Sequence, residues 1–183
     1  MDIFMVRHGE AAASWGEASD PGLSDLGKKQ ALQTAQELQP LLGKQVNLIS
    51  SPLLRAQETS KPLAELRGGA NVVIEEAYSE IPSPVPLAQR QDWLRAFMAQ
   101  QWDVQPDSLT AWRSQMIKKL LELEQPSVIF THFLVLNTVV GSIEGKSETL
   151  CFRPDNASVV HLKHCGNHLE LVDIGRQMPT FVN

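Results

Sequence analysis

The sequence predicts a doubly wound, three-layer α/β/α fold with a mostly parallel central sheet and a C-terminal hairpin. Three observations carry this expectation. Short runs rich in β-branched residues recur at 3–6, 46–49, 72–74 and 128–130, and longer amphipathic stretches separate them. Such runs suit strands buried on both faces, and their alternation with helices implies an α/β layer structure. Near the C-terminus, segments 158–162 and 168–173 flank the pair Gly166-Asn167, which reads as a hairpin turn and makes the sheet mixed at one side.

Taken in order, the first strand is followed by a helical pattern over 24–42. There Ala31, Ala35, Leu38 and Leu42 fall on one face and Gly43 supplies a stop. After the second run, Ser51 reads as an N-cap with Pro52 at the first helical position. That helix is expected to reach about Leu66 and to end at Gly68-Gly69. Two further patterns, 87–101 and 108–123, form a small helical insert at about 82–124. A last helix is expected over 133–140, before the hairpin. Residues 1–183 are read as a single domain, a length that one core can serve.

Composition narrows the partners. The formal net charge is -5 with no long run of Lys or Arg, which speaks against nucleic acid. No apolar stretch approaches the roughly 18 residues that a membrane span needs, and the N-terminus carries no leader pattern. Two cysteines make no disulfide framework, so the expected location is cytoplasmic. His161, His164 and His168 with Cys165 match no standard zinc spacing. Alternation along a hairpin sends His161 and His164 to opposite faces, so these are read as surface residues. No metal and no cofactor are expected.

The reactive side chains fall at strand ends. Arg7 and His8 follow the first strand, Arg55 sits on the first turn after the second, Glu80 follows the third, and His132 comes two residues after Phe130. Open α/β sheets bind ligands at the carboxyl ends of their strands, so these groups converge on one edge. Singly, each has a plainer reading: Arg55 can bridge to Glu58, His132 can be a core histidine, and Glu80 can be a solvated loop carboxylate. Their joint placement favours an anion site. Arginine forks and helix N-termini hold phosphate oxygens, a neutral imidazole can attack phosphorus, and a carboxylic acid can protonate the departing oxygen. Glu10 is a second candidate acid, although it can equally hold Arg7 or Arg55 in place.

Five segments together resemble the histidine phosphatase superfamily, also called phosphoglycerate mutase-like. They are Val6-Arg7-His8-Gly9-Glu10, Leu23-Ser24-Asp25-Leu26-Gly27 with Gln30-Ala31, Ser51-Pro52-Leu53-Leu54-Arg55-Ala56-Gln57-Glu58-Thr59, Phe130-Thr131-His132, and Asn156-Ala157-Ser158. The resemblance implies a metal-independent phosphomonoester hydrolase of the histidine acid phosphatase type. His8 would be its nucleophile, Arg7, Arg55 and His132 its phosphate holders, and Glu80 its proton donor. The substrate would be a small phosphorylated molecule or a phosphopeptide. A phosphate-transferring mutase and a non-catalytic phosphate-binding protein of the same fold are the alternatives. Three departures stand out. Phe133 replaces a small residue and is expected to narrow the pocket, Ser14 stands where many members have a phosphate-touching Asn, and 81–86 reads Ile-Pro-Ser-Pro-Val-Pro instead of a glycine-bearing stretch. Trp93, Leu94, Phe97 and Met98 sit at helical spacing, as core residues or as the top of the pocket.

Overall fold

The apolar runs pair into one six-stranded sheet in the computed structural model, which describes residues 1–13 and 20–179. Its strands are β1 (Asp2–Arg7), β2 (Asn47–Ser50), β3 (Val72–Ile74), β4 (Ser127–Thr131), β5 (Val159–His164) and β6 (Leu169–Asp173), in the order β3-β2-β4-β1-β5-β6. The first four of that order run parallel, while β5 is antiparallel to β1 and β6 to β5. The register sets Arg7 beside Thr131 and Ser50 beside Phe130, so β2, β4 and β1 end level with one another.

Alternation along β1 divides its side chains between two layers. Phe4 and Val6 pack with Ala35 and Leu38 of α1 (Asp25–Leu38) and with Ala56 and Leu63 of α2 (Leu54–Leu66). Ile3 and Met5 pack with Met116 and Leu120 of α4 (Asp107–Leu121) and with Val135 and Val139 of α5 (Phe133–Ile143). A third cluster joins Leu94 and Phe97 of α3 (Arg90–Met98) to Ile81, Trp102, Leu109, Phe133 and Leu134. The segment between β3 and β4 thereby rests on the start of α5, next to His132.

Several boundaries differ from expectation. The first helix is capped by Ser24, but its α-helical part ends at Leu38 and not at Leu42 as expected, and a 3-10 turn over Gln39–Leu41 follows. Pro40 is the reason, since it has no N–H to continue the ladder. Residues Leu87–Gln89 form a 3-10 turn ahead of α3, and α3 stops at Met98. The second helix begins at Leu54 and not at Pro52, with Leu53 as its N-cap. The hairpin turn at Gly166 has the positive φ that glycine favours. His161 and His164 are half-buried and not fully surface residues: His161 stacks on Phe4 and bonds Asp2, and His164 bonds the Leu121 carbonyl oxygen. Among the described residues, no helix is long and apolar enough to cross a membrane.

Candidate active site

Two motif glycines bring the loop after β1 against the start of α1. A Cβ on Gly9 would lie 2.5 Å from the Gly27 carbonyl oxygen, and one on Gly27 would strike the Glu10 carbonyl. Thr59 locks the same loop to α2, its hydroxyl accepting from Gly9 N–H at 3.0 Å while donating to the Arg55 carbonyl at 2.7 Å. Glu58 accepts from Leu23 N–H at 2.7 Å. These backbone contacts fix His8 and Arg55 relative to each other.

The predicted residues converge. Arg7, His8, Arg55 and Glu80 line one cavity of about 780 Å³, and the ring of His132 lies 5.3 Å from that of His8. All five are buried. His8 Nδ1 lies 2.7 Å from the Gly9 carbonyl oxygen, which can only accept, so Nδ1 carries the ring proton. Its Nε2 accepts from Arg55 Nε at 3.2 Å and therefore presents a lone pair. Burial, then the charges of Arg55 and Arg7, hold His8 well below the ordinary histidine value, which keeps the ring neutral. His132 is held down in the same way, by burial first and then by His8 and the arginines.

His132 caps α5 without a side-chain bond to that helix. Its Nε2 lies 2.7 Å from Ser51 Oγ, which also accepts from Leu53 N–H at 3.2 Å. Arg7 donates through Nη1 to the Pro154 carbonyl at 2.8 Å and lies over the Phe133 ring, 5.1 Å from its centroid. Burial pushes its guanidinium down to about 10. Phe133 thus packs beneath Arg7 and does not line the cavity, contrary to the expected narrowing. Leu94 and Phe97 are core, with Trp93 and Met98 packed against them, and none of the four lines the cavity. Ile81, Pro82, Val85, Leu87 and Arg90 of the same segment line the cavity instead.

Glu80 Oε1 accepts from Ile81 N–H at 3.0 Å, while Oε2 is buried without a partner among the described residues. Burial raises its carboxyl above the ordinary value, against the opposing pull of Ile81 N–H, Arg55, Arg90 and Arg7. Glu10 accepts from the Ser24 hydroxyl at 2.7 Å and makes no ion pair with Arg7 or Arg55 among the described residues, so it holds neither in place. Ser14 lies outside the described residues. Four buried side-chain polar atoms lack a partner among the described residues, and three belong to this site: Arg7 Nε, Glu80 Oε2 and His132 Nδ1. Such orphans are costly unless a ligand satisfies them.

Sequence reasoning missed Ser51, Thr59, Asp20 and Arg90. The first two stand inside the quoted Ser51-to-Thr59 segment, which was the available signal. Asp20 accepts from Leu54 N–H at 2.8 Å and lies 3.9 Å from Arg55 Nη1, a contact no local pattern announces. One cluster of possible metal ligands, Cys165, His168 and Glu170, lies exposed at the hairpin tip beside Met1. That is the opposite end of β1 from Arg7, roughly 20 Å away for a six-residue strand.

Known proteins resemble this chain in sequence or in fold. A cyanobacterial protein of Picosynechococcus sp., itself uncharacterized, is 32% identical over 112 residues, spanning 59% of this chain and 62% of that one. Among solved structures, phosphoserine phosphatase from Entamoeba histolytica, bound to 3-phosphoglyceric acid, superposes with a TM-score of 0.76 at 21% identity, covering 96% of this chain and 97% of the other. A mycobacterial glucosyl-3-phosphoglycerate phosphatase gives 0.69 at 20% identity, covering 93% and 96%. These likenesses establish the shared fold. The sequence profile of the histidine phosphatase superfamily, branch 1, matches residues 3–177, and the chain belongs to that family.

Proposed function

We propose that this protein is a phosphomonoesterase that forms a phosphohistidine on His8. The observation that carries the reading is the fixed tautomer of a buried, neutral His8, whose Nε2 lone pair faces arginine donors. Nε2 attacks phosphorus, and the bond from phosphorus to the ester oxygen breaks. The Glu80 carboxyl, whose hold on a proton is strengthened by burial, gives its proton to the leaving alkoxide. Water then attacks phosphorus and the N–P bond breaks. Glu80 takes a proton from that water, inorganic phosphate leaves, and the lone pair returns to Nε2.

The phosphoryl oxygens are held by Arg7 and Arg55. If Ser51 O–H donates to His132 Nε2, the remaining proton sits on Nδ1, which becomes a third donor. This donor set supplies the positive charge that a metal would otherwise bring, so the reaction is metal-independent. The names of the phosphoserine and glucosyl-3-phosphoglycerate phosphatases support hydrolysis of a small phosphorylated molecule.

Brief mixing with a radiolabelled phosphomonoester should leave label on the protein that survives alkali and is lost in acid. His8→Ala should abolish it and lower turnover by orders of magnitude, as losing a nucleophile does. A chelator should change nothing. Label that persists in His8→Ala would overturn the assignment, and label passed to an organic acceptor faster than to water would mark a mutase.

A further inference from the structure

The hairpin that ends the sheet closes on three metal-ligating side chains that the phosphate chemistry does not use. Cys165 directly follows β5 and His168 directly precedes β6, and Cys165 N–H donates to the His168 carbonyl at 2.9 Å. Between them stand only Gly166 and Asn167, with Gly166 in the left-handed region at φ 84°. His168 and Glu170 are two residues apart, so alternation sends both to one face. One ligand atom from each of Cys165, His168 and Glu170 lies within 4.8 Å of the others, and all three residues are exposed.

Among the described residues, the ordinary partners of these groups are engaged elsewhere. Lys163 faces Glu170 in the strand register, but its ammonium donates to Asp2 at 3.2 Å. The Cys165 thiol meets the Lys163 carbonyl oxygen at no less than 4.0 Å and forms no disulfide. His168 has more acceptors than protons. Its Nδ1 lies 3.1 Å from Asn167 Oδ1, and its Nε2 lies 3.1 Å from Glu170 Oε1. Both oxygens accept and a neutral ring carries one proton, so one of the two contacts lacks a hydrogen. A second ring proton would fill that gap. A cation held between Nε2 and the carboxylate would fill it too, and would give the neighbouring thiol a partner as well.

We infer that Cys165, His168 and Glu170 form a binding site for Zn²⁺ at the hairpin tip, at the opposite end of β1 from the phosphate site. Thiolate, imidazole and carboxylate are the donors zinc takes, whereas magnesium and calcium want oxygen alone. Ligand atoms about 2.0–2.3 Å from a tetrahedral ion lie roughly 3.3–3.6 Å apart. The spacing of Nε2 and Oε1, 3.1 Å, is close to that already, and the exposed thiol closes on them by side-chain rotation. Nδ1–H then donates to Asn167, the outer contact that orients a metal-bound histidine. Binding sends the Cys165 thiol proton to solvent, and water takes the fourth position. The tight turn holds the ligands together beforehand, so little chain freedom is lost. The site shares no residue with the proposed phosphomonoesterase chemistry.

The test uses the full chain, stripped of metal and kept reduced without added thiols. Titration with Co²⁺ should bring up the thiolate-to-cobalt charge-transfer band of a cysteine-bound ion. Competition for Zn²⁺ against a chromophoric chelator then gives the zinc affinity. Cys165→Ser should abolish the band and weaken zinc binding by at least about 10-fold, and His168→Ala should weaken it as much. Glu170→Gln should weaken it by a smaller factor. Cys151→Ser, which leaves the hairpin intact, should keep both the band and the affinity. All three ligand positions are exposed, so the variants should melt where the metal-free native protein does, and that measurement separates a lost ligand from a lost fold. Absence of the band in the native protein overturns the inference. So does a zinc affinity unchanged in Cys165→Ser, or uptake that sedimentation finds only in metal-linked dimers.

Discussion

In the resting site Arg55 spends its Nε proton on the His8 lone pair, so the proposed nucleophile and its proposed phosphate holder occupy each other. On the proposed mechanism, an arriving phosphoryl group would draw the Arg55 donors to its own oxygens and so uncover Nε2. Asp20 is a second competitor for Arg55, 3.9 Å from Nη1. It also accepts from Leu54 N–H at the N-terminus of α2, where the helix favours an anion. Its negative charge therefore opposes a phosphate dianion at that spot. Asp20→Asn keeps the acceptor for Leu54 N–H and removes the charge. Because the Asp20 side chain is 42% exposed, the effect is that of a partly screened pair. The inhibition constant of inorganic phosphate should tighten by about 2- to 5-fold. The gain should shrink at high salt, as screening replaces the substitution. Inhibition measured at low and high ionic strength checks this, and a weaker phosphate constant in the variant would show that Asp20 positions Arg55 instead of competing for it.

The junction between β2 and α2 shows what an element can and cannot reveal in one dimension. The four parallel strands were legible because their branched apolar runs are short and separated by helical periodicity. However, β3 lies at the sheet edge with Val73 and Ile74 exposed and is not buried on both faces as expected. Their C-terminal ends placed Arg7, His8, Arg55 and His132 together from topology alone. The start of α2 was not legible. Ser51-Pro52 carries the local signature of a cap, but the Ser51 hydroxyl meets His132, 81 residues away, and the helix begins at Leu54. Phe133 was misread for a similar reason, since the third cluster draws it under Arg7 and away from the cavity. Arg90 and Asp20 reach the site through contacts between segments far apart in sequence, which periodicity does not encode. The Ser51 contact can be tested directly. Ser51→Ala leaves His132 Nε2 buried without a partner, and an unsatisfied buried polar group costs about 1–3 kcal/mol. The urea midpoint should fall accordingly, and phosphate inhibition should weaken because the His132 tautomer is no longer fixed. Unchanged stability together with unchanged inhibition would remove Ser51 from the site.

Across the whole molecule, the buried site makes stability depend on pH with two opposing signs. His8 and His132 have folded values well below 6.5, so between those values and about 6.5 the unfolded chain binds protons that the folded chain does not. Their contribution is full above about 6.5 and is lost as the pH falls below it. Glu80 works the other way. Its folded value lies above 4.5, so the folded chain keeps a proton that the unfolded chain has released, and stability falls as the pH rises from about 4.5 through the folded value. At neutral pH Glu80 is thus a cost to the fold, one that its proposed role as the acid would explain. Glu80→Gln keeps the size and removes the ionisation. The melting temperature at pH 7 should rise, by about 2–4 °C for each kcal/mol recovered in a chain of this length. The advantage should narrow as the pH falls toward 4.5 and vanish below it, where native Glu80 becomes neutral in both states. The same variant should lose about 100- to 10,000-fold in turnover of an alkyl phosphate, whose leaving group needs the proton, and far less on an aryl phosphate, whose leaving group does not. Stability gained with activity lost is the expected trade at a site of this kind. Thermal unfolding between pH 5 and 8, run beside both turnover assays, measures all three quantities. A lower melting temperature at neutral pH would contradict the buried neutral acid. Equal losses on the two substrates, or none, would take the proton from Glu80 and make Glu10 the next residue to replace.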